Sequence, residues 1–170
     1  MVHPNEALVA FTFADDYSFG VLQSGIHWEW FKARCSTFKA DFRYTSDTVF
    51  ATFPWPQKPS AKQIRAVADA ACALRRQIMD ANGWSLRDLY RTLETPGDNK
   101  LRTAHAALDT AVRAAYGLKE KEDILAFLLK LNLELADNEA KGSSIIPPGL
   151  PAFIPNPASL VSEDCVQVEG

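Results

Sequence analysis

Between Phe19 and Ala33 the apolar residues Phe19, Leu22, Ile26, Trp30 and Ala33 recur every three or four positions. That period predicts one helix of about four turns with a single apolar stripe. The stretch before it, Ala7 to Phe13, is apolar and β-prone and predicts a strand, with Asp15-Asp16 marking a turn or helix start. After Ala33 the period drops to two. Lys39, Asp41 and Arg43 alternate with Phe38, Phe42 and Tyr44, which predicts a strand over Thr37 to Tyr44 and a partner over Thr48 to Phe53. Pro54 and Pro56 cannot donate to a sheet ladder and end the β portion, with Trp55 between them pinning the exit against the body.

Beyond Pro59 the pattern is helical throughout. Ser60 and Gln63 form a capping box ahead of a stripe of Ile64, Val67, Ala71, Leu74 and Ile78, which Asn82-Gly83 stops. Ser85 and Asp88 open a short second helix, closed by Pro96-Gly97. Leu101, Ala104, Leu108, Ala111 and Ala115 stripe a third helix ending at Gly117; Ile124, Leu128, Leu131 and Leu135 stripe a fourth up to Gly142.

The expected class is therefore α+β and mainly α. A small strand-containing N-terminal segment (1–59) packs on a four-helix, bundle-like region (60–142). The rest, 143–170, holds five of the ten prolines and no helical period, which predicts an extended strap or a disordered tail.

Composition narrows the function. With 170 residues and 47% of them hydrophobic, the chain can bury a real core. No run approaches the roughly 18 apolar residues of a membrane span, and the N-terminus lacks the layout of a secretion signal, so a cytoplasmic protein is expected. A net charge of −3 argues against coating nucleic acid by bulk attraction but leaves room for a local contact patch. Cys35, Cys72 and Cys165 lie far apart without a C-x-x-C pair, so they read as two packed thiols and one in the tail.

Catalytic chemistry is not evident. His27-Trp28-Glu29 matches the H-x-E half of a zinc nucleobase deaminase, but the P-C-x-x-C that supplies the other ligands is missing; His27 is expected to be a partly buried structural histidine. His105 lies four residues before Asp109, where a helical polar pair accounts for it. Asp15-Asp16 and Glu122-Asp123 read as helix-start acids. No phosphate loop, dinucleotide turn or nucleophile elbow occurs, so no catalytic residue, bound cofactor or metal ligand is expected on this chain.

The charged strand edge remains. Lys39 can donate to guanine O6 or N7, and Asp41 can accept from the N4 amine of the paired cytosine. Equally, alternating charges of opposite sign are what a solvated strand face carries.

Here a resemblance enters. FGVLQSGIHWEWFKARCSTFKADFRYTSDTVFATFPWP is similar to the end of the target-recognition domain of MmeI-like type IIL restriction-modification enzymes and related N6-adenine DNA methyltransferases. The anchors are Phe19, Gly20, Leu22, Ser24, His27, Trp30, then Asp41, Phe42, Tyr44, then Val49, Phe50 and the FPWP run Phe53 to Pro56. SLRDLYRTLETPG, AHAALDTAVRAAYG and PPGLP resemble the C-terminal helical region of the same proteins. The resemblance implies a recognition segment that grips double-stranded DNA, while an upstream domain or subunit binds S-adenosylmethionine and methylates a flipped adenine. It implies base contacts at Lys39 and Asp41, and a backbone phosphate for Arg43. The upstream motifs are not in this sequence, so the expectation is a fragment, a split subunit or a truncated frame that methylates nothing alone. The alternative is a helical scaffold subunit that docks to a separately encoded methyltransferase or restriction subunit.

Overall fold

A computed structural model describes residues 9–38, 41–79 and 85–165 of the chain, with the side chains of residues 37, 38, 41 and 86 left aside. It is mainly helical, with one short strand pair. The elements run α1 (Asp16–Gln23), α2 (Gly25–Arg34), β1 (Ser36–Phe38), β2 (Asp41–Arg43), α3 (Ala61–Met79), α4 (Leu86–Arg91), α5 (Lys100–Tyr116) and α6 (Ile124–Ala140). None of the described helices is long and apolar enough to cross a membrane.

The single helix expected over 19–33 is two. Ser24 interrupts it with extended backbone (ψ 156°), and its hydroxyl caps the second piece by accepting from the His27 amide at 3.4 Å. A distant residue completes this break: the Gly25 amide donates to Asp109 Oδ1 on α5 at 2.7 Å, satisfying an N-terminal donor that an unbroken helix would have buried in its own ladder.

The expected strands are also corrected. Residues 37–44 do not form one strand: β1 and β2 are an antiparallel hairpin with Ser36 opposite Arg43, Thr37 opposite Phe42 and Phe38 opposite Asp41. The expected partner over 48–53 is instead a π-helical turn, Ser46–Phe50, followed by a turn. That turn drops Val49 into the core at 0% exposure and presents its carbonyl to the Trp30 indole N–H at 3.2 Å, which an extended segment would not do. Of the predicted N-terminal strand, residues 9–13 carry no strand pairing, and 7 and 8 lie outside the described residues. With no neighbour to pair with, this segment contributes rings: Phe11 and Phe13 pack on Phe50, and Phe13 on Trp55.

The helical caps follow the sequence closely. Ser60 and Gln63 exchange the reciprocal bonds of a capping box, Ser85 caps α4, and Asp123 caps α6 through the Ala126 amide at 3.0 Å. Gly117 ends α5 in the left-handed region at φ 73°, where a side chain would be strained. The stop expected at Asn82-Gly83 lies outside the described residues.

One core joins these parts. α3 lies against both α1 and α5, and α6 packs on α2. Tyr17, Val21, Ile26, Trp30, Trp55, Ile64, Val67, Leu74, Leu108, Val112 and Leu128 are all 3% exposed or less. At the α1–α3 crossing Gly20 allows close approach: a Cβ there would sit 2.8 Å from Val67 Cγ1 and 3.2 Å from the Val67 carbonyl. Gly20→Ala should therefore cost about 1–3 kcal/mol by overpacking, although alanine is intrinsically the better helix residue by about 1 kcal/mol. Urea denaturation decides the sign; a stabilised variant would show that α1 can move off α3.

The C-terminal segment is a strap. Gln57 and Ile146 exchange two hydrogen bonds of 2.9 Å, Phe13 packs over Gly149, Leu160 is buried, and Arg65 donates to the Ser159 carbonyl at 2.7 Å. Its last fastening is electrostatic. Asp16 accepts from the Ser162 amide at 3.0 Å and pairs with Arg75 of α3 at 2.7 Å. Burial would raise the Asp16 carboxyl, but hydrogen bonds from Cys72, Ser162 and Cys165 and the Arg75 charge together hold it below its ordinary value. Of the two expected helix-start acids, then, Asp15 does the capping and Asp16 ties three elements together.

Candidate nucleic-acid interface

The hairpin stands on an aromatic base built by α2. Tyr44, just past β2, stacks on Phe31 at 5.4 Å and 23°, and meets Phe11 edge-on at 5.8 Å. Phe42 packs on Phe31 and Trp28 (5.9 and 6.3 Å) yet stays 54% exposed.

His27 locks this base. Its Nδ1 lies 2.8 Å from the Leu22 carbonyl and its Nε2 3.0 Å from the Tyr44 hydroxyl. A carbonyl only accepts, so Nδ1 carries the proton and Nε2 accepts from the hydroxyl. Burial pushes the Tyr44 phenol up to about 12, which keeps it a donor. Burial also lowers the His27 pKa, outweighing the Leu22 carbonyl, so His27 is the structural residue expected. The sign of the linkage follows: the unfolded chain binds this proton first, so the contribution is complete above pH 6.5 and is lost as pH falls through the lower folded value. Stability should therefore decline on acidification below pH 6.5, and His27→Gln should flatten that limb of a denaturation profile taken against pH.

The expected contact residues divide. Lys39 lies outside the described residues. Asp41 is the first residue of β2, opposite Phe38, and its side chain is not described. Asp41 thus begins β2, two residues before Arg43 on the same strand. Arg43 sits at the open end opposite Ser36, exposed and without an ion pair among the described residues.

Two residues of this surface were not expected. Arg34 ends α2 with its guanidinium 5.7 Å over the Trp30 ring and, like Arg43, has no ion pair among the described residues. Trp28 is 49% exposed although it sits on a helix whose other tryptophan is buried. Neither had a distinctive signal: a cation in a last helical turn ordinarily serves the dipole, and an aromatic next to a stripe is ordinarily core. The expected polar pair of His105 with Asp109 is absent from the described hydrogen bonds. His105 instead meets the Tyr90 ring edge-on at 5.8 Å, and its buried Nε2 has no hydrogen-bond partner among the described residues, while Asp109 accepts from the Gly25 amide.

Comparison with known proteins bears on this surface directly. Residues 2–57, which include the hairpin and its base, match the target recognition domain of MmeI. DNA methyltransferase A of Bacillus subtilis (strain 168) is 32% identical over 127 residues, 73% of this chain and 14% of that protein. The structure of the type IIL restriction-modification enzyme MmeI, determined in complex with DNA, superposes with a TM-score of 0.65 at 31% identity over 73% of this chain and 17% of that one. The chain thus spans about a seventh of the curated relative's length. Residues 2–57 are thus target-recognition sequence of the MmeI family, and 73% of the chain is similar to MmeI-like proteins.

Proposed function

We propose that this chain supplies DNA target recognition to an N6-adenine DNA methyltransferase of the restriction-modification type, with residues 1–59 ending the recognition domain, 60–142 bracing it and 143–170 strapping the two. The supporting observation is the hairpin, which lies within the recognition-domain match and rests on the Phe31–Tyr44 stack that His27 holds in place. A rigid root lets a short hairpin hold polar side chains in fixed register against base edges. Lys39 and Asp41 are the base readers in this proposal, Lys39 for guanine and Asp41 for the paired cytosine, and Arg43 holds a phosphate. S-adenosylmethionine and the catalytic groups belong to a separate methyltransferase part, and the protein works in the cytoplasm on double-stranded DNA.

Exchanging Lys39 and Asp41 in the complete enzyme should shift the preferred base pair at one site position by about 1–3 kcal/mol. Methylome sequencing reads this, and an unchanged site would remove the assignment. Arg43→Ala should weaken binding to all sequences alike and lower the salt slope by about one. Mixed alone with S-adenosylmethionine in a calorimeter, the chain should give no heat.

A second reading is favoured by α6. Leu125, Leu129 and Leu133 recur every fourth residue and are 38%, 52% and 61% exposed, an apolar ridge that no described residue fully covers. The alternative is therefore a helical scaffold that docks to a methyltransferase or restriction subunit through that ridge. Leu129→Glu should abolish co-purification with such a subunit while leaving DNA binding intact.

A further inference from the structure

Behind the hairpin's base, between the start of α2, the short helix α4 and one face of α5, lies an open cavity of about 760 Å³. That is within the range of about 300–1,000 Å³ that small-molecule sites occupy. Trp28, Tyr90 and Leu93 supply apolar walls; Gln23, His105 and Asp109 supply polar groups. Trp28 belongs to two surfaces, lining the cavity and meeting Phe42 of the hairpin.

The charges here define the occupant. Arg102 also lines the cavity, but its guanidinium is committed to the carbonyls of Leu93, Thr95 and Gly97 at 2.7–3.0 Å, which leaves no fork for a phosphate. Asp109 accepts the Gly25 amide on one oxygen and keeps acceptor capacity on the other. A Cβ on Gly25 would lie 2.9 Å from that second oxygen, so glycine is what leaves it uncovered on the α2 side. The site thus offers flat aromatic walls and a carboxylate acceptor, and among the described residues no uncommitted cation lines it. It suits a neutral planar ring that carries N–H donors.

We propose that this cavity binds a nucleobase bearing an exocyclic amino group, with the ring against Trp28 and the amine donating to Asp109. The base comes either from DNA, unstacked beside the hairpin, or from a free nucleoside. Only the DNA source rests on the recognition reading above; the cavity and its chemistry stand without it.

The test follows the tryptophan indole N–H signals of the 170-residue chain by nuclear magnetic resonance, with Trp28 assigned through Trp28→Phe. Adenosine and cytidine should shift the Trp28 signal saturably, and thymidine, which lacks the amine, should bind at least about tenfold more weakly, the loss expected for one charge-assisted hydrogen bond. Tyr90→Leu should weaken adenosine about tenfold or more, with unchanged Trp30 and Trp55 signals reporting an intact fold. A Trp28 signal that no nucleoside moves, or thymidine binding as well as adenosine, would overturn the proposal.

A duplex with one unpaired adenine, compared with its fully paired counterpart, separates the sources. A Trp28 shift specific to the unpaired adenine establishes DNA as the source, and duplexes that bind without moving a Trp28 signal that adenosine does move establish the soluble one. Failure of the recognition reading looks different: neither duplex binds, while adenosine still shifts Trp28.

Discussion

Asp16→Asn should lose about 3–5 kcal/mol of folding free energy at neutral pH, the usual consequence of leaving one member of a buried ion pair without its partner. Asp16 and Arg75 have side chains 3% and 15% exposed and meet at 2.7 Å, so solvent does little to replace the lost charge. The same carboxylate holds the strap through Ser162, so the variant should also release the C-terminal segment to proteolysis before the helices unfold. The pH dependence has a definite sign. Because the folded carboxyl titrates below its ordinary value of 3.8, its contribution is complete above that pH and is lost as pH falls through the folded value. Denaturation profiles should show an acid limb below about pH 4 that Asp16→Asn removes. A variant as stable as the parent at pH 7 would show that the strap is fastened by its apolar contacts alone.

Trp55→Ala should be as damaging, about 3–5 kcal/mol, since it empties the volume of an indole that is 2% exposed and touches Phe13, Tyr17 and Phe53. Trp55→Phe separates two components of that number. The indole N–H is buried without a partner among the described residues, so removing it relieves an unsatisfied donor while losing part of the ring. Phenylalanine should therefore recover most of the loss, leaving a deficit of about 1–2 kcal/mol. Equal damage from the two variants in guanidinium denaturation would mean that the indole outline itself, not apolar volume, is what the Pro54–Pro56 corner requires.

The helical half was legible because its signals are local. Ser60 with Gln63, Ser85 with Asp88, and Gly117 each act within one turn of chain, and the apolar stripes of α3 and α5 needed no partner to be recognised. The N-terminal third was harder for a physical reason. Alternation over 37–44 is consistent with one strand and gives no local sign that 36–38 and 41–43 pair with each other. Val49 and Thr52 read as strand residues, but the demand to bury Val49 under the Trp30 indole overrode local preference. The break at Ser24 had a signal in Ser24-Gly25, yet its cause, Asp109, stands 84 positions away. The same distance hid the cavity: Trp28, Tyr90 and Asp109 come from three elements whose adjacency no spacing reveals.

The joint at Gly20, where α1 presses on α3 so closely that only a hydrogen fits, has a practical meaning for anyone hoping to trade target preferences among relatives of this protein. A crossover placed at the proline-rich corner near residue 59 would pair a foreign α1 with a resident α3 and set side chains into a seam with no slack. Chimaeras that carry the hairpin together with the helices beneath it inherit a matched seam; those that graft only the first third must also transplant Val67 and Ala71, or accept a misfit where α1 meets α3.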